Sequence, residues 1–373
     1  MKILYRVIYM FTLIVLLTAC GGKPAITVLA TEASMEHSNS AETDPFELSV
    51  AQVIMDSAGF HGIATALSET QTIDPTYLST VTSVSKVLSH TTWPADLDDQ
   101  AQTFIELLGT FAAALEADNV ADALTLSETV HDAQHELSHS IEHLLGDAMN
   151  MGEANNFDLS VAQKFMDSAG FHGMATALAE TQTIDPSYTS TVTRVHTILS
   201  HTVFPSELND QAQAFIETLA SFSAALEADN TADAVTLSET VHDAKHELSH
   251  AIEHWMGDAQ KGTTESSGFD LSIAQYFMDE AGFHEMATAL SKTQTIDPEY
   301  FSTVSGVQTI LSQVVWPSDL NDRAQAFIES LGAFSAALEA DNIADAVESS
   351  EIVHDAQHEL SHSIDHFLEG HAH

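Results

Sequence analysis

The chain has 373 residues and carries 55 Asp plus Glu against 10 Lys plus Arg, a formal net charge of −45. The basic residues are scattered singly, so no patch exists to displace counterions and nucleic-acid binding is excluded. An apolar content of 44% with only 16 Gly and 8 Pro excludes a wholly disordered chain, and a surface this acidic repels anionic lipid while attracting cations.

Residues 1–20 open with Met-Lys-Ile-Leu-Tyr-Arg, continue through the apolar run Val7 to Leu17 and end Thr18-Ala19-Cys20-Gly21. A basic start, an apolar core of about ten residues and a small-residue end describe an export signal, too short for a membrane span. Leu17-Thr18-Ala19-Cys20 resembles the lipobox of bacterial lipoproteins. The resemblance covers these residues only. It implies removal of residues 1–19, lipidation of Cys20 and anchoring to a bacterial membrane outside the cytoplasm. Gly21 in place of Asp is similar to lipoproteins forwarded to the outer membrane or cell surface. Cys20 is the single cysteine, so lipidation leaves no thiol for a disulfide, a metal site or catalysis. Residues 20–44 are rich in Gly, Ala, Thr, Ser and Glu and read as a flexible tether.

Three repeats follow. Phe46-Glu-Leu-Ser-Val-Ala-Gln returns as Phe157-Asp-Leu-Ser-Val-Ala-Gln and Phe269-Asp-Leu-Ser-Ile-Ala-Gln, at offsets of 111 and 112 residues. That period is domain-sized, far longer than a solenoid unit. The expected units are 45–150, 151–262 and 263–373, with short polar joints at 147–156 and 258–268.

Within the first unit, apolar spacing predicts a helix over 48–70, interrupted by Gly59 and Gly62. Ile73-Asp74-Pro75 supplies a stop and a start, with Asp as N-cap and Pro at N1, opening a second helix to His90. Trp93-Pro94 breaks the chain again. A third helix runs from Ala95 through Phe104, Leu107, Phe111 and Leu115 to Asp118-Asn119, and a fourth from Val120 to Leu145, closed by Gly146. The recurrent Phe60, Phe104 and Phe111 with Trp93 read as packing residues. No strand pattern occurs. The expected fold is all-α, three tandem antiparallel four-helix bundles, each large enough for one core.

The fourth helix carries the chemistry. His131, His135, His139 and His143 recur as His242, His246, His250 and His254, and as His354, His358, His362 and His366. Residues four apart on a helix are neighbours, about 5–6 Å between Cβ atoms, so each adjacent pair is a two-point clamp for a transition metal. Leu126, Val130, Ala133, Leu137, Ile141 and Leu144 form the expected core seam. With Leu126 as zero and about 100° per residue, the seam centres near 15° and the histidines fall near 140°, 180°, 220° and 260°. They therefore fan around an outer face shared with Glu128, Asp132, Glu136 and Glu142, with His131 and His143 at its edges. Four such histidines cannot bind one ion inside the bundle.

Imidazole beside carboxylate suits Zn first, with Cu, Ni or Fe as alternatives, and argues against a Ca-specific site. Glu136, Glu247 and Glu359 are further candidate ligands. So are His61, His172 and His284 on the first helix, where His61 is expected to be partly buried near Val50, Ile54 and Ala58 and to reach His131 or His143. A metal-free alternative has the histidine face dock a protein partner or a neighbouring repeat. His135-Glu-Leu-Ser-His139 matches the H-E-x-x-H zinc-protease pattern, but the next His comes four residues on with no Gly between. The helix also lacks a cleft, and no enzyme is expected. Di-iron ligation needs inward Glu-x-x-His on two helices and Glu on two others, which the second helix does not offer. Haem is disfavoured because Met55, Met166 and Met278 read as core filling and the histidines point outward. His90 and His201 become Gln313 in the third unit, His196 occurs once, and His371 and His373 lie in the tail.

Overall fold

A computed structural model describes residues 44–146, 154–258 and 265–371. The export segment, Cys20, most of the tether, parts of both joints and His373 lie outside these residues. The described residues are helical, with no strand among them.

Each repeat contributes five helices: α1 (Pro45–Ser57), α2 (Phe60–Thr70), α3 (Pro75–His90), α4 (Ala95–Glu116) and α5 (Val120–Gly146) in the first. The second has α6 (Asn156–Ser168), α7 (Phe171–Thr181), α8 (Pro186–His201), α9 (Asn209–Glu227) and α10 (Thr231–Asp258). The third has α11 (Gly268–Glu280), α12 (Phe283–Thr293), α13 (Pro298–Gln313), α14 (Ser318–Glu339) and α15 (Ile343–His371). The fifth helix arises because the expected first one divides. Gly59 takes φ +64°, as Gly170 and Gly282 take +65°, a left-handed conformation that glycine adopts without Cβ strain. Gly62, by contrast, sits inside α2.

The other boundaries follow local chemistry. The Asp74 side chain accepts from the Thr76 amide at 2.9 Å with Pro75 at N1. Asp118 takes φ 52° at the α4–α5 turn, where Asn119 caps α5 by accepting from the Asp122 amide at 3.3 Å. Between helices, Phe60 meets Phe104 edge to face, centroids 6.1 Å apart, and the Trp93 indole donates to the Leu88 carbonyl at 2.9 Å. All four ring residues proposed for packing therefore serve it, with Phe111 fully buried.

The repeats interlock. α1 packs on α8 of the second repeat, α6 on α13 of the third, and α11 on α3 of the first, so the three contacts close cyclically. This explains why α1 is buried almost continuously from Leu48 to Met55: its own α5 covers one face and α8 another. A helix covered all round needs no polar stripe. The starts of α1, α6 and α11 approach one another, and their third-position carboxylates Glu47, Asp158 and Asp270 lie within electrostatic reach. Burial raises the pKa of all three, and the Asp44 and Asp270 charges push Asp158 further up.

Candidate metal centre

The buried stripe of α5 comprises Ala123, Ser127, Val130, Gln134, Leu137, Ser138, Ile141 and Leu145. It is rotated roughly 50° from the expected leucine seam toward the histidines. Leu126, Ala133 and Leu144 pack against its margin. The cause is polar. Ser138 Oγ donates to Asp56 Oδ1 on α1 at 2.8 Å, the Gln134 amide donates to the same oxygen, and Ser127 Oγ donates to the Leu124 carbonyl at 2.8 Å. Hydroxyls and amides with internal partners are buried without the penalty of an unsatisfied group.

This rotation separates the four histidines. His131 is half-buried at the edge of the stripe, while His135, His139 and His143 are exposed. His143 is therefore not a second edge: it lies nearly opposite the core. His242 and His354 occupy the same half-buried position as His131, and the remaining six histidines of the series on α10 and α15 match their counterparts in exposure.

The break at Gly59 decides where His61 goes. A continuous helix would have set it on the buried stripe of α1. As the second residue of α2, which packs on α5, it is exposed instead and faces His131, with His61 Nδ1 3.3 Å from His131 Nε2. The ring centroids are 4.9 Å apart, and those of His131 and His135 are 4.6 Å apart. The arrangement recurs at His172, His242 and His246, with centroid separations of 4.9 and 4.7 Å. It recurs again at His284, His354 and His358, at 4.9 and 4.7 Å. In that third cluster His354 Nε2 lies 3.3 Å from His284 Nδ1 and 3.1 Å from His358 Nε2.

These separations have a chemical meaning. Nitrogens bound to one tetrahedral zinc at about 2.0–2.1 Å stand about 3.3 Å apart, so each close N···N pair has the length of one edge of such a shell. The third cluster has two edges sharing His354. Among the described residues no three donors yet surround a common point, so a shell is completed only if side chains rotate or water joins. The protein already brings the imidazoles within reach from two helices.

The electrostatics disfavour protonation of His131 and His242. Burial lowers the His131 pKa, the neighbouring His135 and His61 lower it further, and Asp132 opposes them. His242 is lowered by burial, then by His246 and His172, with Asp243 opposing. His131 Nδ1 is buried without a hydrogen-bond partner, whereas His354 Nδ1 lies 3.5 Å from Asp355 Oδ1. The adjacent Asp132, Asp243 and Asp355 are thus the carboxylates tied to the cluster, a role that spacing alone did not single out. Glu136, Glu247 and Glu359 are exposed on the outer face.

The outer histidines are arranged differently. His139 Nδ1 lies 3.7 Å from Glu142, and the His362 and His366 rings stack with centroids 6.0 Å apart. In the third repeat His358, His362 and His366 flank a groove of about 810 Å³ with Asp319 and Arg323 of α14 opposite. His90 is not near a cluster: its ring lies against Gly268 at the start of α11, and His201 Nδ1 donates to the Thr197 carbonyl at 2.8 Å. No helix among the described residues is long and apolar enough to cross a membrane. No family model matches this chain, and no curated protein or solved structure matches it.

Proposed function

We propose that this chain is an exported, lipid-anchored protein of three bundle-like repeats that binds divalent transition metal for scavenging, buffering or delivery. The observation that carries this reading is the threefold recurrence of one cluster, an imidazole from the second helix of a repeat against two from the fifth, with close nitrogen pairs at tetrahedral-edge spacing in the first and third repeats. His61, His131 and His135 would supply three nitrogen donors in the first repeat, and water or Asp132 would complete four-coordination. Zinc fits this donor set first; Cu, Ni and Fe share the preference for imidazole. The outer histidines and the acidic surface would gather cations and feed the clusters. The reading is of binding, not catalysis.

Titration calorimetry with Zn, Cu, Ni and Co tests it on the whole chain, purified without a metal column. The expected result is saturation near three ions per chain, falling to two when His131→Ala/His135→Ala removes one cluster. Binding no tighter than to a generic acidic protein, or unchanged stoichiometry in that variant, overturns it. Partner association that survives chelation would instead favour docking through the histidine face without metal.

A further inference from the structure

The three repeats differ in charge at positions where they meet. At one register of the first helix they carry Val53, Lys164 and Tyr276; on the facing third helix, Ser83, Arg194 and Gly306; and at the end of the first helix, Ser57, Ser168 and Glu280. The second-repeat members of the first two sets, with Tyr276 and Glu280, surround a cavity of about 360 Å³ between repeats, walled also by Phe165 and Phe277.

In a chain with only 10 Lys and Arg, two of them face this one cavity. Lys164 lies over Gly306, where an added Cβ would stand 3.0 Å from its Nζ. Burial lowers its pKa, with Asp167 opposing. The Arg194 guanidinium donates to Ser57 Oγ at 2.8 Å and to Thr191 Oγ1 at 3.2 Å, leaving part of its five-donor fork uncommitted. Neither cation forms an ion pair within 4.0 Å among the described residues. Phe165 and Phe277 meet at 5.6 Å and 69°, forming an aromatic wall, and burial holds the Tyr276 phenol protonated, a donor. Glu280 is exposed at the rim.

We infer that this cavity binds a small organic monoanion: a carboxylate on a flat apolar body. Its volume lies within the range of small-molecule pockets, about 300–1,000 Å³. Lys164 and Arg194 face the cavity with one carboxylate, Glu280, at its rim, which favours a ligand of low negative charge. The planar guanidinium matches a carboxylate in two-point geometry, the ammonium adds a point charge, and the Phe165–Phe277 wall accepts the apolar body. Elsewhere a surface of net charge −45 repels such a ligand. Both cations around this cavity come from the second repeat, and the first and third repeats carry none at the equivalent positions. This site is separate from the histidine clusters and does not depend on them.

Naphthalene-2-carboxylate, followed by its fluorescence, is a direct probe on the whole chain, with naphthalene-2-methanol as the uncharged control. The carboxylate is expected to bind at least tenfold more tightly than the alcohol. Lys164→Val and Arg194→Ser, which copy the first repeat, should each remove most of that preference while the circular dichroism spectrum is kept. Glu280→Gln should strengthen binding, and His131→Ala or added zinc should leave it unchanged. Equal binding of the two probes by the unaltered chain overturns the inference, as does a preference that survives in a folded Lys164→Val/Arg194→Ser protein.

Discussion

Lys86 and Asp365, 279 residues apart in the chain, form an ion pair that joins α3 of the first repeat to α15 of the third. Asp365 also accepts from Gln275 on α11 at 3.0 Å, so the pair clamps the contact at which the last repeat meets the first. The equivalents of Lys86 are Thr197 and Thr309. Each inter-repeat contact therefore has its own cation: Arg194 in the first, Lys164 in the second and Lys86 in the third. Lys86→Met should destabilise the protein by about 1 kcal/mol, since the pair is only partly screened. That corresponds to a fall in Tm of about 2 °C in a chain of this size. The exposed Lys292→Met should change it by less than half as much. Thermal denataturation at low and high salt checks both, and equal effects would mean that the pair does not hold the repeats together.

Asp158 offers the opposite sign. It is 9% exposed, and burial with the Asp44, Asp270 and Glu47 charges raises its pKa well above the usual carboxylate range. A carboxyl whose folded pKa is raised leaves stability intact below the unfolded value near 4 and removes it as pH rises toward the folded value. Asp158→Asn should therefore stabilise the protein at neutral pH, by about 1 kcal/mol or more since a tenfold shift in proton affinity is worth about 1.4 kcal/mol. The gain should vanish below about pH 4. Urea denaturation at pH 4 and pH 7 measures it, and no gain at pH 7 would remove the charge-repulsion argument.

Much of this was legible in the sequence, and the rest failed for identifiable reasons. The repeats, the Asp-Pro starts and the Asp118-Asn119 turn all have local signatures, and they set most helix boundaries. The interlocking did not, because a fully buried α1 and a half-buried one can share the same apolar spacing over 13 residues. The α5 seam was misplaced because Ser127, Gln134 and Ser138 count as polar by type, while here they are buried on internal partners. That rotation promotes His131 and demotes His143. The pairing of His61 with His131 was foreseeable as one of two options, and the kink at Gly59 selects it.

Gly59 gives the next prediction. Nothing lies within 4 Å of a Cβ built on it, so Gly59→Ala meets no clash, only the cost of a left-handed backbone, about 1–2 kcal/mol. Relief by straightening α1 into α2 would draw His61 away from His131. Gly59→Ala should thus lower Tm and weaken zinc binding at one of three sites. Gly62→Ala, inside α2 and also without a clash, should raise Tm slightly. A Gly59→Ala protein as stable as the parent would show that the kink is not imposed by that residue.

The central histidines of the first two clusters give a pH prediction. His131 and His242 have lowered pKa values, so each binds its proton less readily folded than unfolded. Their contribution to stability is therefore intact above the unfolded value near 6.5 and is lost progressively as pH falls below it, until the folded value is passed. Imidazole must also be neutral to ligate. Zinc affinity at the clusters should accordingly fall with falling pH as protons compete for the ring nitrogens. Proton NMR titration of the C2 hydrogens should find His131 titrating below the ordinary histidine value near 6.5. His131→Ala should weaken zinc binding at its cluster about 100-fold or more, beyond the 10–100-fold typical of outer-shell changes, while His143→Ala should change it less than threefold. Equal losses in the two variants would mean that the exposed face, not the junction of α2 and α5, holds the metal.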